Sequence, residues 1–223
     1  MNNVIRAGGV QVSLPIAAEW VEAYTDQAKR LDAKPYAYPA YDAYELDSDP
    51  YKLSDADLLA PGLLNVNISL RAYYVLQDMR PHVEAALKLV EPDASWVNMD
   101  ADAAIAAVEQ AYSPLDVPEL SGRGVRRTTL SKVLHRKRPN FFALHDSRVS
   151  NCYYDIAGGI ETDKNRTRAQ SMAVFNQRVA ADVASQPEQL DRLAKAVKGQ
   201  TRLTPLRLLD IIAWKANGNS LGL

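Results

Sequence analysis

The 223 residues contain a single cysteine, Cys152. An internal disulfide is therefore excluded, as is a cluster or metal site built on several thiolates, and a reducing, cytoplasmic setting is expected. Histidine is almost as scarce. His82, His135 and His145 are the only three, and no two stand at the spacing that places metal ligands on one helix face. Neither a metal nor a cofactor is expected. No run of about 18 apolar residues occurs, so no membrane-spanning helix is expected. The opening M-N-N-V-I-R-A-G-G lacks a signal peptide's apolar core. P-loop and dinucleotide fingerprints, internal repeats and long low-complexity tracts are missing as well, and strand signals are weak throughout.

What is there is an ordinary globular composition, 47% hydrophobic with a net charge of −1. At this length the chain forms one large domain or two small lobes. The near-neutral total hides an uneven distribution. Residues 120–150 hold eight Lys or Arg against one acid, while residues 31–61 hold seven acids against two bases. Such asymmetry fits a protein with one basic face.

Helical signals follow one another along the chain. Ser13 and Pro15 start a helix expected over 14–31, with Ile16, Trp20, Val21 and Tyr24 on its apolar face. A proline- and acid-rich loop follows, carrying Tyr36, Tyr38, Tyr41, Tyr44 and Tyr51. These rings serve either as stacking surface for a base or sugar, or as anchors that pin the loop. Ser54 to Asp57 reads as a capping box for a short helix closed by Pro61-Gly62. A helix is expected over 68–79, broken or kinked at Pro81 and continued to about Val90. Asp100 to Tyr112 is alanine-rich and helical. Later helices are expected from Asp146 to about Ile156, from Thr167 to Ser185, from a second capping box at Ser185–Glu188 to about Val197, and from Thr204-Pro205 to Gly218. The last carries Leu206, Leu208, Leu209, Ile211, Ile212 and Trp214 as its apolar set. The expected class is all-α and two-lobed.

The most informative stretch is Leu120 to Val149. Gly122 and Gly124 permit a tight turn between helices. A turn that ends at a helix N-terminus presents free N–H groups suited to a phosphate, and Arg123, Arg126 and Arg127 would surround that anion. Leu130, Val133 and Leu134 form a helical stripe that Pro139 ends. Asp146 then precedes Ser147, Arg148 and Val149 at the opening of another helix. Each feature alone has a structural reading: a joining turn, a solvated basic face, an N-cap.

Together they resemble a known family. L-S-G-R-G-V-R-R-T-T is similar to the hairpin L-P-G-V-G-x-K/x-T-A of the helix–hairpin–helix DNA glycosylase superfamily. Asp146-Ser147-Arg148-Val149 resembles its D-T-H-V, whose aspartate is catalytic. Leu63-Leu64-Asn65-Val66-Asn67-Ile68-Ser69 resembles its L-L-S-x-Q-x-T, whose polar residue meets DNA near the extruded base. Ser121, Arg123 and Asn67 depart from the pattern. The resemblance implies a single two-lobed α-helical glycosylase domain over 1–223, with the helix–hairpin–helix core at about 114–150.

It also implies the site. Asp146 is the expected catalytic residue. Gly122, Arg123, Gly124, Arg126, Arg127, Thr128, Lys132, Arg138 and Arg148 are expected to hold double-stranded DNA, and Asn65, Asn67, Tyr38 and Tyr41 to line the base pocket. A carboxylate beside C1′ stabilises the oxocarbenium-like centre formed as an N-glycosidic bond breaks. The base must be flipped to reach it. Bifunctional relatives place a Schiff-base lysine in the hairpin. Arg126 and Arg127 stand there, and arginine is no amine nucleophile, which implies a monofunctional enzyme; Lys132, a turn or more onward, is the alternative amine. A monomer is expected. The chain also resembles bacterial defence glycosylases that remove glucosylated hydroxymethylcytosine from phage DNA; repair of a damaged base is the competing role. Two other functions remain open: a DNA-binding module without chemistry, and an interaction protein using the acidic tyrosine-rich loop.

Overall fold

The computed structural model describes residues 3–28, 35–43, 49–120 and 124–222. They form nine α-helices and one two-stranded sheet, so the protein is mostly helical. None of the described helices is long and apolar enough to cross a membrane. The chain divides into two compact units, each assembled from separate stretches of sequence. Unit 1 holds residues 1–44, 146–162 and 178–223; unit 2 holds residues 45–145 and 163–177.

Unit 1 begins with an antiparallel hairpin, β1 (Val4–Ala7) and β2 (Val10–Ser13), with Ala7 opposite Val10 across a Gly8-Gly9 turn. Gly8 has φ +62°, and a Cβ there would lie 2.1 Å from the Cys152 carbonyl oxygen. Only glycine lets the turn come this close. The Gly8 N–H donates to Asp182 at 2.7 Å and the Gly9 N–H to the Cys152 carbonyl at 2.9 Å. Helix α1 (Leu14–Thr25) ends at an extended Asp26, short of the expected residue 31. Residues 29–34 lie outside the described residues.

Unit 2 contains α2 (Asp55–Leu59), a 3₁₀ turn at Ala60–Leu64, α3 (Leu70–Leu87), α4 (Ala101–Tyr112) and α5 (Arg127–Lys137). The capping box at Ser54 forms as expected, with Ser54 Oγ accepting from the Asp57 N–H and Asp57 accepting from the Ser54 N–H. Asp100 caps α4 through the Ala103 N–H. Pro81 does not divide α3. Proline forfeits one intrahelical bond, but the buried face Val75, Leu76, Met79, Val83, Ala86 and Leu87 runs straight through it. Packing of that stripe outweighs the local cost.

Helix α6 (Ser147–Tyr153) opens the second stretch of unit 1 and stops at an extended Tyr154, before the expected Ile156. Helix α7 (Arg168–Ala184) spans the boundary between the two stretches assigned to different units. The capping box expected at Ser185–Glu188 does not form. Gln186 is the N-cap of α8 (Pro187–Ala194) but makes no side-chain cap. Its amide instead pairs with the backbone of Arg6, accepting at 2.9 Å and donating at 2.6 Å. Ser185 Oγ donates back to the Asp182 carbonyl. Helix α9 (Pro205–Ala216) is capped by Thr204 and ends on a left-handed Asn217 followed by Gly218. Its buried apolar residues Leu206, Leu208, Leu209, Ile211, Ile212 and Ala213 make it the central helix of unit 1.

Candidate active site

In unit 2 the expected DNA grip begins at the turn before α5. Gly122 and Arg123 lie outside the described residues. Gly124 is exposed with φ +96°, and its missing Cβ would sit 3.3 Å from the Cβ of Ala72 in the first turn of α3. The positive φ favours glycine there, and the contact with Ala72 is tight. Val125 is buried beside it, anchoring the turn. Arg126 is the N-cap residue of α5 and no side chain caps that helix, so its first-turn N–H groups are not satisfied from within the helix. Arg126 is exposed, and Arg127 and Thr128 are half-buried.

The rest of the basic run is not a solvated face. Lys132, Arg136, Lys137 and Arg138 are all buried, which corrects the expectation that Lys132 and Arg138 reach DNA. Lys132 Nζ donates to the Leu64 carbonyl at 3.4 Å. Lys137 forms a 2.8 Å ion pair with Asp57, both side chains 1% exposed. Arg138 donates to the carbonyls of Val90, Pro50, Lys137 and Leu87 at 2.7 to 2.9 Å. A guanidinium has five N–H donors and no acceptor, so it serves here as a staple for backbone carbonyls. Half of the eight basic residues between 120 and 150 are therefore internal; among the described residues, Arg126 and Arg127 of unit 2 and Arg148 of unit 1 are the ones not buried.

Asn65 and Asn67 are both exposed just before α3. Asn65 has φ +59° and closes the 3₁₀ turn, a conformation asparagine tolerates better than most residues. Ser69 caps α3 through the Ala72 N–H. Leu70 and Tyr74, one turn apart on α3, are 70% and 59% exposed.

The other half of the expected base pocket is corrected. Tyr38 and Tyr41 are 2% and 1% exposed within unit 1, so neither ring is open stacking surface. Tyr38 OH donates to the Thr201 carbonyl and accepts the Thr201 N–H. Tyr51 donates to Glu91 in unit 2. These rings are the loop anchors of the structural reading; Tyr44 lies outside the described residues.

Asp146 is the first residue of the second stretch of unit 1. It is half-buried and is the N-cap of α6, its Oδ1 accepting from the Val149 N–H at 3.0 Å. Its other oxygen, Oδ2, takes no hydrogen bond from a described residue. Arg148, exposed on the same turn, lies with its Cζ 4.6 Å from the ring centre of Trp214.

Two rivals for the chemistry are inert. Burial raises the Cys152 thiol pKa. Its Sγ donates to the Ala213 carbonyl and accepts the Gly218 N–H. The thiolate needed for attack is thereby disfavoured. His145, the last residue of the first stretch of unit 2, is held to a pKa of about 3 by burial and then by the cations Arg127 and Lys132. A histidine neutral at pH 7 with so low a pKa is a poor proton shuttle. Among the described residues no group of three His, Cys, Asp or Glu side chains could hold a metal ion.

One cluster escapes the sequence. Trp214 is expected in the apolar set of α9 but is half-buried. It stands edge-on to Tyr24 and Tyr36 and carries two cations, Arg148 and Lys215. The polar step at Lys215 beside it is the available signal.

These features define a mostly helical protein of two compact units with a capping carboxylate at Asp146 and an uncapped, arginine-flanked turn before α5. The chain belongs to DUF6308, a family of unknown function, whose model matches residues 17–217. No curated protein and no solved structure matches it.

Proposed function

We propose that the protein is a monofunctional DNA glycosylase of the helix–hairpin–helix kind, acting on a modified base in duplex DNA. The observation that carries this reading is Asp146. One carboxylate oxygen is fixed by the cap on α6, while the other accepts no hydrogen bond from a described residue. A charge so oriented is preorganised for a developing cation.

In the proposed reaction the flipped nucleotide presents C1′ to Asp146. The C1′–N bond breaks with its electron pair going to the base nitrogen, which takes up a proton from solvent. Water adds to C1′ and gives its proton to the carboxylate, which returns it to solvent, leaving an abasic site. The Gly124 turn, the uncapped start of α5 and exposed Arg126 support a backbone grip at the hairpin. Arginine at 126 and 127, with Lys132 committed to the Leu64 carbonyl, supports hydrolysis without a Schiff base. The two substrate classes are a glucosylated cytosine of phage DNA, giving antiviral defence, and a damaged base, giving repair.

A second reading is favoured by the same cap. An aspartate that holds α6 has a structural reason to be there, and the protein would then be a DNA-binding module without chemistry. Asp146→Asn separates the two, because asparagine caps as well as aspartate but carries no charge. The variant is expected to keep its thermal midpoint and DNA affinity and to form abasic sites at least about a hundredfold more slowly. The assay counts abasic sites in phage DNA carrying glucosylated cytosine, in unmodified DNA, and in duplexes with uracil, an alkylated purine or 8-oxoguanine. Release from a simple damaged base alone assigns the protein to repair. Release from none of them removes the enzymatic reading.

A further inference from the structure

Unit 1 carries a cationic aromatic cluster of which the glycosylase resemblance names only Arg148. Tyr24 and Tyr36 stack at 4.8 Å, and Trp214 meets both edge-on at 6.4 and 6.2 Å. Arg148 lies over the indole at 4.6 Å. Lys215 Nζ lies 4.5 Å from the Tyr36 ring centre and 5.7 Å from that of Trp214, and donates to the Tyr36 hydroxyl. Two cations thus share one indole.

Two acids of unit 1 are committed to Arg207. Asp42 pairs with Arg207 at 2.7 Å, and Asp210 is bonded to the same guanidinium, which also donates to Tyr24 OH. Neither Arg148 nor Lys215 forms an ion pair with a described residue. No described residue accepts a hydrogen bond from Arg148, whose side chain is exposed. An exposed guanidinium with no carboxylate or carbonyl acceptor among the described residues is open to an anion. A guanidinium has five N–H donors in a planar fork that matches a phosphate.

We propose that Arg148 and Lys215, mounted on Trp214 and Tyr36, contact the phosphate backbone of the DNA. This inference rests on the glycosylase reading. It adds a grip in unit 1, two residues from Asp146, to the one at the hairpin in unit 2. The indole is the positioning element and the two cations are the ligands.

The probe is a duplex oligonucleotide carrying a tetrahydrofuran abasic-site analogue, which cannot turn over, titrated by fluorescence anisotropy across a range of salt concentrations. Arg148→Gln with Lys215→Gln is expected to make the log–log salt slope shallower by about 1.8, roughly 0.9 for each cation withdrawn from the phosphates. It should also weaken binding by roughly tenfold or more, the scale of charge-assisted hydrogen bonds. Arg148→Lys keeps the charge and should restore the slope while recovering only part of the affinity, a pattern that weaker packing on Trp214 would not give. An unchanged slope in the double variant, with wild-type binding steeply salt-dependent, overturns this inference and leaves the glycosylase reading intact. Wild-type binding without salt dependence overturns both. Displacement of the duplex by micromolar inorganic phosphate at constant ionic strength marks a site for free phosphate and overturns the assignment to the backbone.

Discussion

Acid should unfold unit 2 through His145. The ring is 7% exposed, packs edge-on against Phe175 at 5.1 Å, and follows an N–H bonded to Ser131. Burial first, then Arg127 and Lys132, lowers its pKa from the usual 6.5 to about 3. In the unfolded chain the imidazole regains its ordinary value and binds a proton that the folded protein refuses. The stabilisation is therefore complete above pH 6.5 and is lost progressively as the pH falls toward 3. Each pH unit in that window costs about 1.4 kcal/mol, so two units, from about 6.5 to about 4.5, cost about 3 kcal/mol. Carboxylates titrate in the same range, so the informative quantity is a difference between proteins. Urea unfolding at about pH 7 and about pH 4.5 should show wild type losing about 3 kcal/mol more than His145→Phe or His145→Gln. Equal losses, to within about 0.5 kcal/mol, would refute the argument that this histidine is buried neutral.

Three further outcomes are expected. Asp57→Ala strands buried Lys137 and removes half of the Ser54 capping box, so it should cost about 3–5 kcal/mol; adding Lys137→Met should recover much of the loss in the same urea titration. Arg138→Met removes the donor of four backbone carbonyls and should lower the thermal midpoint by several degrees, because each orphaned acceptor costs about 1 kcal/mol or more. The salt slope of DNA binding should not change, since Arg138 is fully buried. The opposite pattern is expected for Arg126→Ala with Arg127→Ala: nearly wild-type melting, a shallower slope, and affinity reduced alike for all sequences.

The helical class and most helix starts are legible in the amino-acid order alone, because those signals are local. Ser54, Asp100, Asp146 and Thr204 each bond an N–H three residues ahead, a geometry set by adjacent dihedrals and little else. The N-terminal hairpin is not among the elements expected from the sequence: V-I-R-A and V-Q-V-S alternate about Gly8-Gly9, but so short a pair of strands is a faint signal in a chain otherwise patterned for helices. Asp146 stands out as a candidate because a lone acid follows a basic run. Tertiary structure decides which charges and rings are surface. Arg138 is internal because carbonyls at Val90 and Pro50, 48 and 88 positions distant, converge on it. Gln186 abandons its helix because the backbone of Arg6, 180 positions away, offers two hydrogen bonds. Tyr38 is a core anchor because Thr201 meets its hydroxyl. A side chain's hydrogen-bonding capacity is written in its type, but whether that capacity is met by water or by protein depends on partners that only the folded chain brings together.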